Sequence, residues 1–310
     1  MDLGRMTTAL REILKTHLKA NRLWGNHTNK AAIEPICLGL LALRREKDPE
    51  IILAIEMLRD LQNANGSWSA FAGDEPAGCW TTALAMLVML AVGDRSASLA
   101  TATRWLVDAK GREENWLWRW KFQTVDNSVR FDPRKYGWSW VPGTTSWVIP
   151  TAFSLIALQQ VRNAGLSLDA RLDERVTLGI GMLLDRMCPG GGWNAGNGIA
   201  FGMAFAPYID ATSIALLALQ GHKNNAVDAS LSWLSTRLGG CPSPYSLAWA
   251  IVALAAYHEE SERPHALFHA SNALIAAIEK GGSALDTATL AICALALEAV
   301  DGDNVFAVRT

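Results

Sequence analysis

Carboxylates set among tryptophans are the residues of this chain best suited to chemistry. Its 310 residues include 13 Trp, 8 Phe and 4 Tyr, so Trp outnumbers the other two aromatics together. Asp74, Asp126, Asp132 and Asp210 lie near these rings in the chain. Paired carboxylates across an aromatic cleft can cleave a glycosidic bond, one as acid and the other as base or nucleophile. Aromatic faces can also stabilise a carbocation. Two Asp residues have a competing structural role: Asp210 precedes the run ATSIALLAL and Asp286 precedes TATLAICALAL. Asp is a favoured helix cap and suits the positive end of the helix. Asp74-Glu75 reads as a solvated loop pair.

The elements that must position these residues follow a repeat. Six runs are apolar on every face: Pro35 to Leu43, Thr81 to Leu90, Pro150 to Leu158, Ala211 to Leu219, Tyr245 to Tyr257 and Thr287 to Leu297. Each predicts a helix buried all round. Six amphipathic segments alternate with them, over about Thr7 to Ala20, Ile51 to Gln62, Leu99 to Ala109, Leu172 to Met187, Asp228 to Leu238 and Leu267 to Lys280. These carry charge on one face and Leu, Ile or Trp on the other at helical spacing. Fully buried helices alternating with half-buried ones predict two concentric rings, an all-α (α/α)6 toroid filling residues 1–310 as one domain. An open helical-pair solenoid is the competing arrangement. The segment Lys110 to Ser146 breaks the spacing and holds five of the Trp residues. A loop this long is usually functional, and its tryptophans predict a packed lid or wall at one mouth of the barrel.

Composition excludes several classes. Half the residues are hydrophobic and 19% are charged, which excludes intrinsic disorder. Net charge is −2, with no basic stripe, so no nucleic-acid partner is expected. The five Cys are odd in number and form no CxxC pair, which predicts reduced thiols in a cytoplasmic chain. The longest uncharged run, Gly78 to Gly93, is shorter than the roughly 20 residues of a membrane-spanning helix. At most the protein is expected to touch one membrane leaflet.

Gln62, Gly66 and Trp68 in LQNANGSW form the pattern Q-x-x-x-G-x-W. A partial copy without the Gln ends at Trp193, and a weaker echo runs from Tyr136 to Trp140. This pattern resembles the QW repeat of the squalene and oxidosqualene cyclases, in the superfamily that includes the protein prenyltransferase β subunits. Triterpene cyclases have two barrels and this chain has length for one. It is most similar to small bacterial one-barrel proteins of the prenyltransferase and squalene-cyclase repeat type. Most of the chain is covered by the resemblance.

The resemblance implies a terpene-cyclase-like isomerase or lyase whose apolar lumen holds a polyprenyl or triterpene-type substrate. Class II cyclases protonate an alkene or epoxide with an Asp from a D-x-D-D-T run. Here the corresponding stretch is Pro207-Tyr-Ile-Asp210-Ala-Thr212, in which only the central Asp remains. Asp210 is thus the implied acid, without the flanking carboxylates that strengthen it. The implied substrate wall is Trp80, Trp116, Trp118, Trp120, Trp147, Trp193 and Tyr208. Trp68 and Trp193 also end QW-type loops, a structural role. The prenyltransferase zinc site would need Asp, Cys and His. Cys79 has Ala77 at the Asp position, and only His258 offers a third ligand, so no metal or cofactor is expected. The expected partner is a hydrophobic isoprenoid. Loss of the acidic partners leaves open a non-catalytic barrel that binds a lipid or a protein, and a carbohydrate-active enzyme is the third reading.

Overall fold

The computed structural model describes residues 3–21, 31–74, 78–125, 128–167, 169–257, 264–281 and 284–308. Trp24, Glu75, Ala77, Asp126 and His258 lie outside the described residues. The inner helices are α2 (Ile33–Ala42), α4 (Thr81–Ala91), α7 (Val148–Asn163), α9 (Ile209–Ala218), α11 (Pro244–Ala256) and α13 (Thr287–Val300). They match the six apolar runs. The outer helices are α1 (Leu3–Asn21), α3 (Pro49–Asp60), α5 (Ala97–Asp108), α8 (Leu172–Asp185), α10 (Asn225–Arg237) and α12 (Pro264–Gly281).

Side-chain placement explains the two classes. In α4 every residue from Thr81 to Met89 is buried. In α3 only Ile51, Ala54 and Leu58 are buried, the spacing of a single helical face. Polar caps mark the starts. Asp48 accepts from Glu50 N (3.0 Å) ahead of Pro49, Asn224 from Ala226 N and Val227 N, Ser243 from Ser246 N ahead of Pro244, and Asp286 from Thr289 N (2.8 Å). Each satisfies backbone donors that have no partner within the helix.

The inner helices form a closed ring in chain order: α2 packs on α4, α4 on α7, α7 on α9, α9 on α11, α11 on α13, and α13 back on α2. The fold is an (α/α)6 toroid. In the sequence each outer segment precedes an inner one, yet α3, α8, α10 and α12 pack on the inner helix before them, and α5 on the helices at both sides. The first outer helix, α1, stands behind the last inner helix, α13. Inner-to-outer connections are short turns, such as residues 43–48 and 92–96, and short turns join antiparallel neighbours. Three of the outer-to-inner connections are long, 61–80, 109–147 and 186–208. They gather on one rim, at the N-terminal ends of the inner helices.

These three long connections make the same set of bonds. The indole N–H groups of Trp68, Trp138 and Trp193 donate to the carbonyls of Leu58, Leu106 and Leu183, at 2.7, 2.8 and 2.7 Å. Each accepting carbonyl belongs to the last turn of an outer helix. The backbone N–H groups of the same Trp residues donate to Thr82, Thr151 and Thr212 on the next inner helix. The next outer helix completes each staple by a different route. Gln62 binds Ser98 of α5 through both amide atoms, Arg175 of α8 donates to Gly137 O, and Ser230 of α10 accepts from Gly192 N. At Gly66 the backbone has φ +91°, and a Cβ there would lie 2.6 Å from Thr101 O, so only glycine fits this turn.

The insertion carries a 3-10 turn (Arg112–Glu114) and a further helix, α6 (Trp116–Thr124). Its root is anchored by buried Glu113, which accepts from Ser146 N and faces the buried Arg186 guanidinium at 3.5 Å. The loop 186–208 adds a hairpin, β1 (Ile199–Ala200) against β2 (Met203–Ala204), with Ile199 opposite Ala204. Phe201 N donates to Ser128 O, joining the hairpin to the insertion. No helix among the described residues is long and apolar enough to cross a membrane.

Candidate functional site

All six inner helices begin on the long-loop rim, so their positive ends converge there and favour acidic side chains. Glu34 of α2, Asp210 of α9 and Asp286, the cap of α13, stand at that rim. Glu34 is half-buried, and the Tyr245 hydroxyl of α11 donates to its Oε1 at 3.5 Å. Burial raises the Glu34 carboxyl above the usual carboxylate range, and the Asp286 charge adds to the rise against the opposing Tyr245 hydrogen bond. Burial, together with the Glu34 and Asp210 carboxylates, pushes the Tyr245 hydroxyl up as well. Glu34 is thus a carboxyl able to keep its proton at a pH where ordinary carboxylates have lost theirs.

An aromatic floor starts at Tyr245, which meets Trp249 edge-on at 6.3 Å between centroids. Trp80, at the start of α4, meets Trp140 edge-on at 5.2 Å between centroids and Phe153 of α7 at 5.7 Å. Phe153 meets Trp249 of α11 at 5.5 Å, and Trp249 meets Phe306 at 5.0 Å. Trp249 and Phe306 are fully buried. The ring is therefore filled at their depth, and the candidate site, the rim cup, is the rim side of this aromatic layer. Phe306 enters from the other end, where Gln160 and Gln220 hold the backbone of Val305 to Ala307. The indole N–H of Trp249 has no hydrogen-bond partner among the described residues.

Three buried thiols are set against thiolate chemistry. Burial holds Cys37 well above its ordinary value, raises Cys79, which is bonded to Thr81 Oγ1 at 3.0 Å, and pushes Cys293 up to about 12. No group of three or more His, Cys, Asp or Glu side chains converges on a metal position among the described residues.

The residues singled out from the sequence separate into five places. Trp80 is part of the floor. Asp210 is half-buried at the rim, and its carboxylate accepts from Ala211 N of its own helix at 2.9 Å. Tyr208 stands at the rim, 56% exposed. Trp147 is half-buried against the loop that includes Gly196. Trp193 is fully buried as a staple, bonded to α8 rather than turned toward the cup. Within the insertion, Trp118 packs on Phe122 and lies under Arg112 and Lys121. Trp116 and Trp120 are 71% and 57% exposed. No residue of α6 is buried, so this helix stands out from the rim rather than forming a packed wall. Asp132 is engaged by Arg134 at 3.0 Å, which lowers its carboxyl. Glu34, Phe153 and Tyr245 are additions from the structure, and Trp249, which the sequence places in the body of an inner helix near the lumen, is part of the floor. The one sequence signal for Glu34 is a carboxylate immediately before an all-apolar run.

No protein-family model matches the chain, and no curated protein matches it. Solved structures do. A protein from Actinoplanes superposes with TM-score 0.58 at 14% identity, covering 97% of this chain and 100% of that one. A novel alpha-amylase from Clostridium perfringens gives 0.63 at 11% identity, covering 94% and 97%. The type II terpene cyclase MstE from Scytonema gives 0.59 at 14%, covering 95% and 97%. At these identities the likeness shows the fold, an α/α toroid of the terpene-cyclase-like kind, and leaves the chemistry to the residues of the rim.

Proposed function

We propose that the rim cup is the active site of a terpene-cyclase-like enzyme that acts on an oxygen-bearing polyprenyl or triterpene-type substrate. The observation that carries this reading is Glu34, a carboxyl with a raised pKa whose partner Tyr245 packs edge-on against Trp249 of the aromatic layer. A raised pKa keeps the proton on the carboxyl to a higher pH than usual but makes a weaker acid. Such an acid suits transfer to an oxygen better than to an isolated double bond. An epoxide fits: the Glu34 proton goes to the oxygen, the C–O bond breaks, and the carbon becomes cationic. The aromatic floor then offers about 1–2 kcal/mol of cation–π stabilisation per desolvated ring. The Tyr245 hydroxyl holds the carboxyl in place and donates to it once it is ionised. Asp210, bonded to its own helix, is the second carboxylate at the rim and the rival proton donor.

The test is incubation with squalene, its 2,3-epoxide and C15 to C30 prenyl diphosphates, followed by mass spectrometry of the products. The epoxide is expected to give an isomeric product, and Glu34→Gln is expected to lower turnover at least 100-fold, within the usual range for a general acid. Activity should fall as pH rises through the folded-state pKa of Glu34. Unchanged turnover in Glu34→Gln sinks the acid assignment, and loss in Asp210→Asn alone moves it to Asp210. Hydrolysis of an oligosaccharide in a parallel incubation would favour the carbohydrate reading.

The filled centre of the ring and the local bonding of Asp210 favour a second reading, a non-catalytic barrel that binds a lipid or a protein. No product from any substrate, together with a co-purified lipid, is its expected signature.

A further inference from the structure

We infer that the interstice between α4, α5 and α7 is a second binding pocket, adjoining the rim cup across Trp80, for an aromatic or polycyclic molecule carrying one hydroxyl or carbonyl. The cavity measures about 430 Å³, within the range of small-molecule sites. Its walls include Trp80, Trp105, Trp138, Leu106, Pro142 and Ser154. Three indoles offer ring faces and edges, the surfaces that aromatic ligands pack against best.

These rings are held before any ligand arrives. Trp138 donates its N–H to Leu106 O, and the Arg175 guanidinium covers its ring at 3.6 Å. Trp80 is clamped between Trp140 and Phe153. Trp105 packs so closely on Gly78 that a Cβ there would lie 2.7 Å from its ring. Rigid walls reduce the ordering cost of binding.

The polar lining selects the ligand. Ser139 Oγ already donates to Val141 O, Cys79 is bonded to Thr81, Asp108 pairs with Arg171, and Lys110 pairs with Glu114. Ser154 is different. It is fully buried in the middle of α7, and its hydroxyl has no hydrogen-bond partner among the described residues. A helical serine ordinarily satisfies itself on a carbonyl one turn back. One unsatisfied hydroxyl amid indoles accommodates one polar group. A sugar, with several hydroxyls per ring to satisfy, would leave most of them without partners.

The probes are 2-naphthol and naphthalene, which share two fused rings and differ by one hydroxyl, measured by isothermal titration calorimetry. Wild-type protein is expected to bind both saturably, 2-naphthol the more tightly. Ser154→Ala should weaken 2-naphthol about five-fold, the weight of one hydrogen bond, and leave naphthalene unchanged. Ala109→Trp, which fills the cavity mouth, should abolish both, and Glu34→Gln should alter neither. The inference is overturned by no saturable binding of 2-naphthol, by equal losses of both probes in Ser154→Ala, or by binding that survives Ala109→Trp. Loss of binding in Glu34→Gln would place the probe in the rim cup and overturn it too.

Discussion

Glu34 and Asp210 occupy like positions, each in the first turn of an inner helix, yet their surroundings give them different chemistry. Asp210 is satisfied by the amide beside it. Glu34 faces Tyr245 and Asp286 from two other helices, and burial disfavours its charge. A carboxyl with a folded-state pKa above its unfolded value binds its proton more tightly when folded. Its contribution is complete below the unfolded pKa and is lost as pH rises through the folded pKa. Thermal melts at pH 4 and pH 8 should therefore show Glu34→Gln gaining stability relative to wild type at the higher pH. A difference between the two proteins that is the same at both pH values would contradict the burial argument. Neither Glu34 nor its partner was legible in the sequence. A Glu before Pro35-Ile-Cys looks like any solvated carboxylate, and the hydroxyl that holds it is 211 positions away.

Among the elements, α6 departs most from what its sequence implies. Tryptophan-rich sequence suggests a packed wall, but composition does not say which face is covered. Here Trp116, Leu117 and Trp120 project outward, with Lys121 exposed among them. Phe201, Met203 and Phe205 of the neighbouring hairpin segment are exposed too. A short helix with exposed indoles and a basic residue suits the interface of an anionic leaflet. Sedimentation with phosphatidylglycerol-containing vesicles should carry the wild-type protein down, more weakly at high salt, and a Trp116→Ala, Trp120→Ala double variant should lose at least ten-fold in partitioning. Equal behaviour of the two proteins would remove the lipid role, and concentration-dependent self-association would instead mark the patch as a contact between copies. The staples teach a related point. Trp138 lies in the middle of the weakest of the three motif-like stretches but makes the same bonds as Trp68 and Trp193. Arg175, from the next outer helix, provides the bridge that Gln62 provides in the first staple.

At the scale of the whole molecule, the ring closes through one ion cluster. Glu298 of α13 accepts from Arg11 of α1 and from Arg44 just after α2, both at 2.5 Å, and Arg44 also pairs with Asp303. These contacts join the two ends of the helix series. Arg44 and Glu298 are both nearly buried. Replacing Glu298 with Ala removes the carboxylate partner of Arg11 and one of the two carboxylates on Arg44, at a cost of about 1.5–3 kcal/mol for charge-assisted hydrogen bonds. Chemical denaturation should show that loss, and amide exchange should rise first in α1. A loss below about 1 kcal/mol would mean that packing alone closes the ring.

The sequence by itself determined the architecture. Six runs with no charged face have to be covered on all sides, and six amphipathic segments between them can cover only from outside, so two rings follow from hydrophobic periodicity and chain order. Periodicity is local, and it could not say that α1 stands behind α13 or that each outer helix packs on the inner helix before it. Connection length and the closure of the ring decided that. Only the tertiary structure decided the site. A pKa depends on what surrounds a carboxyl in space, and the groups around Glu34 come from helices that meet only when the ring is closed.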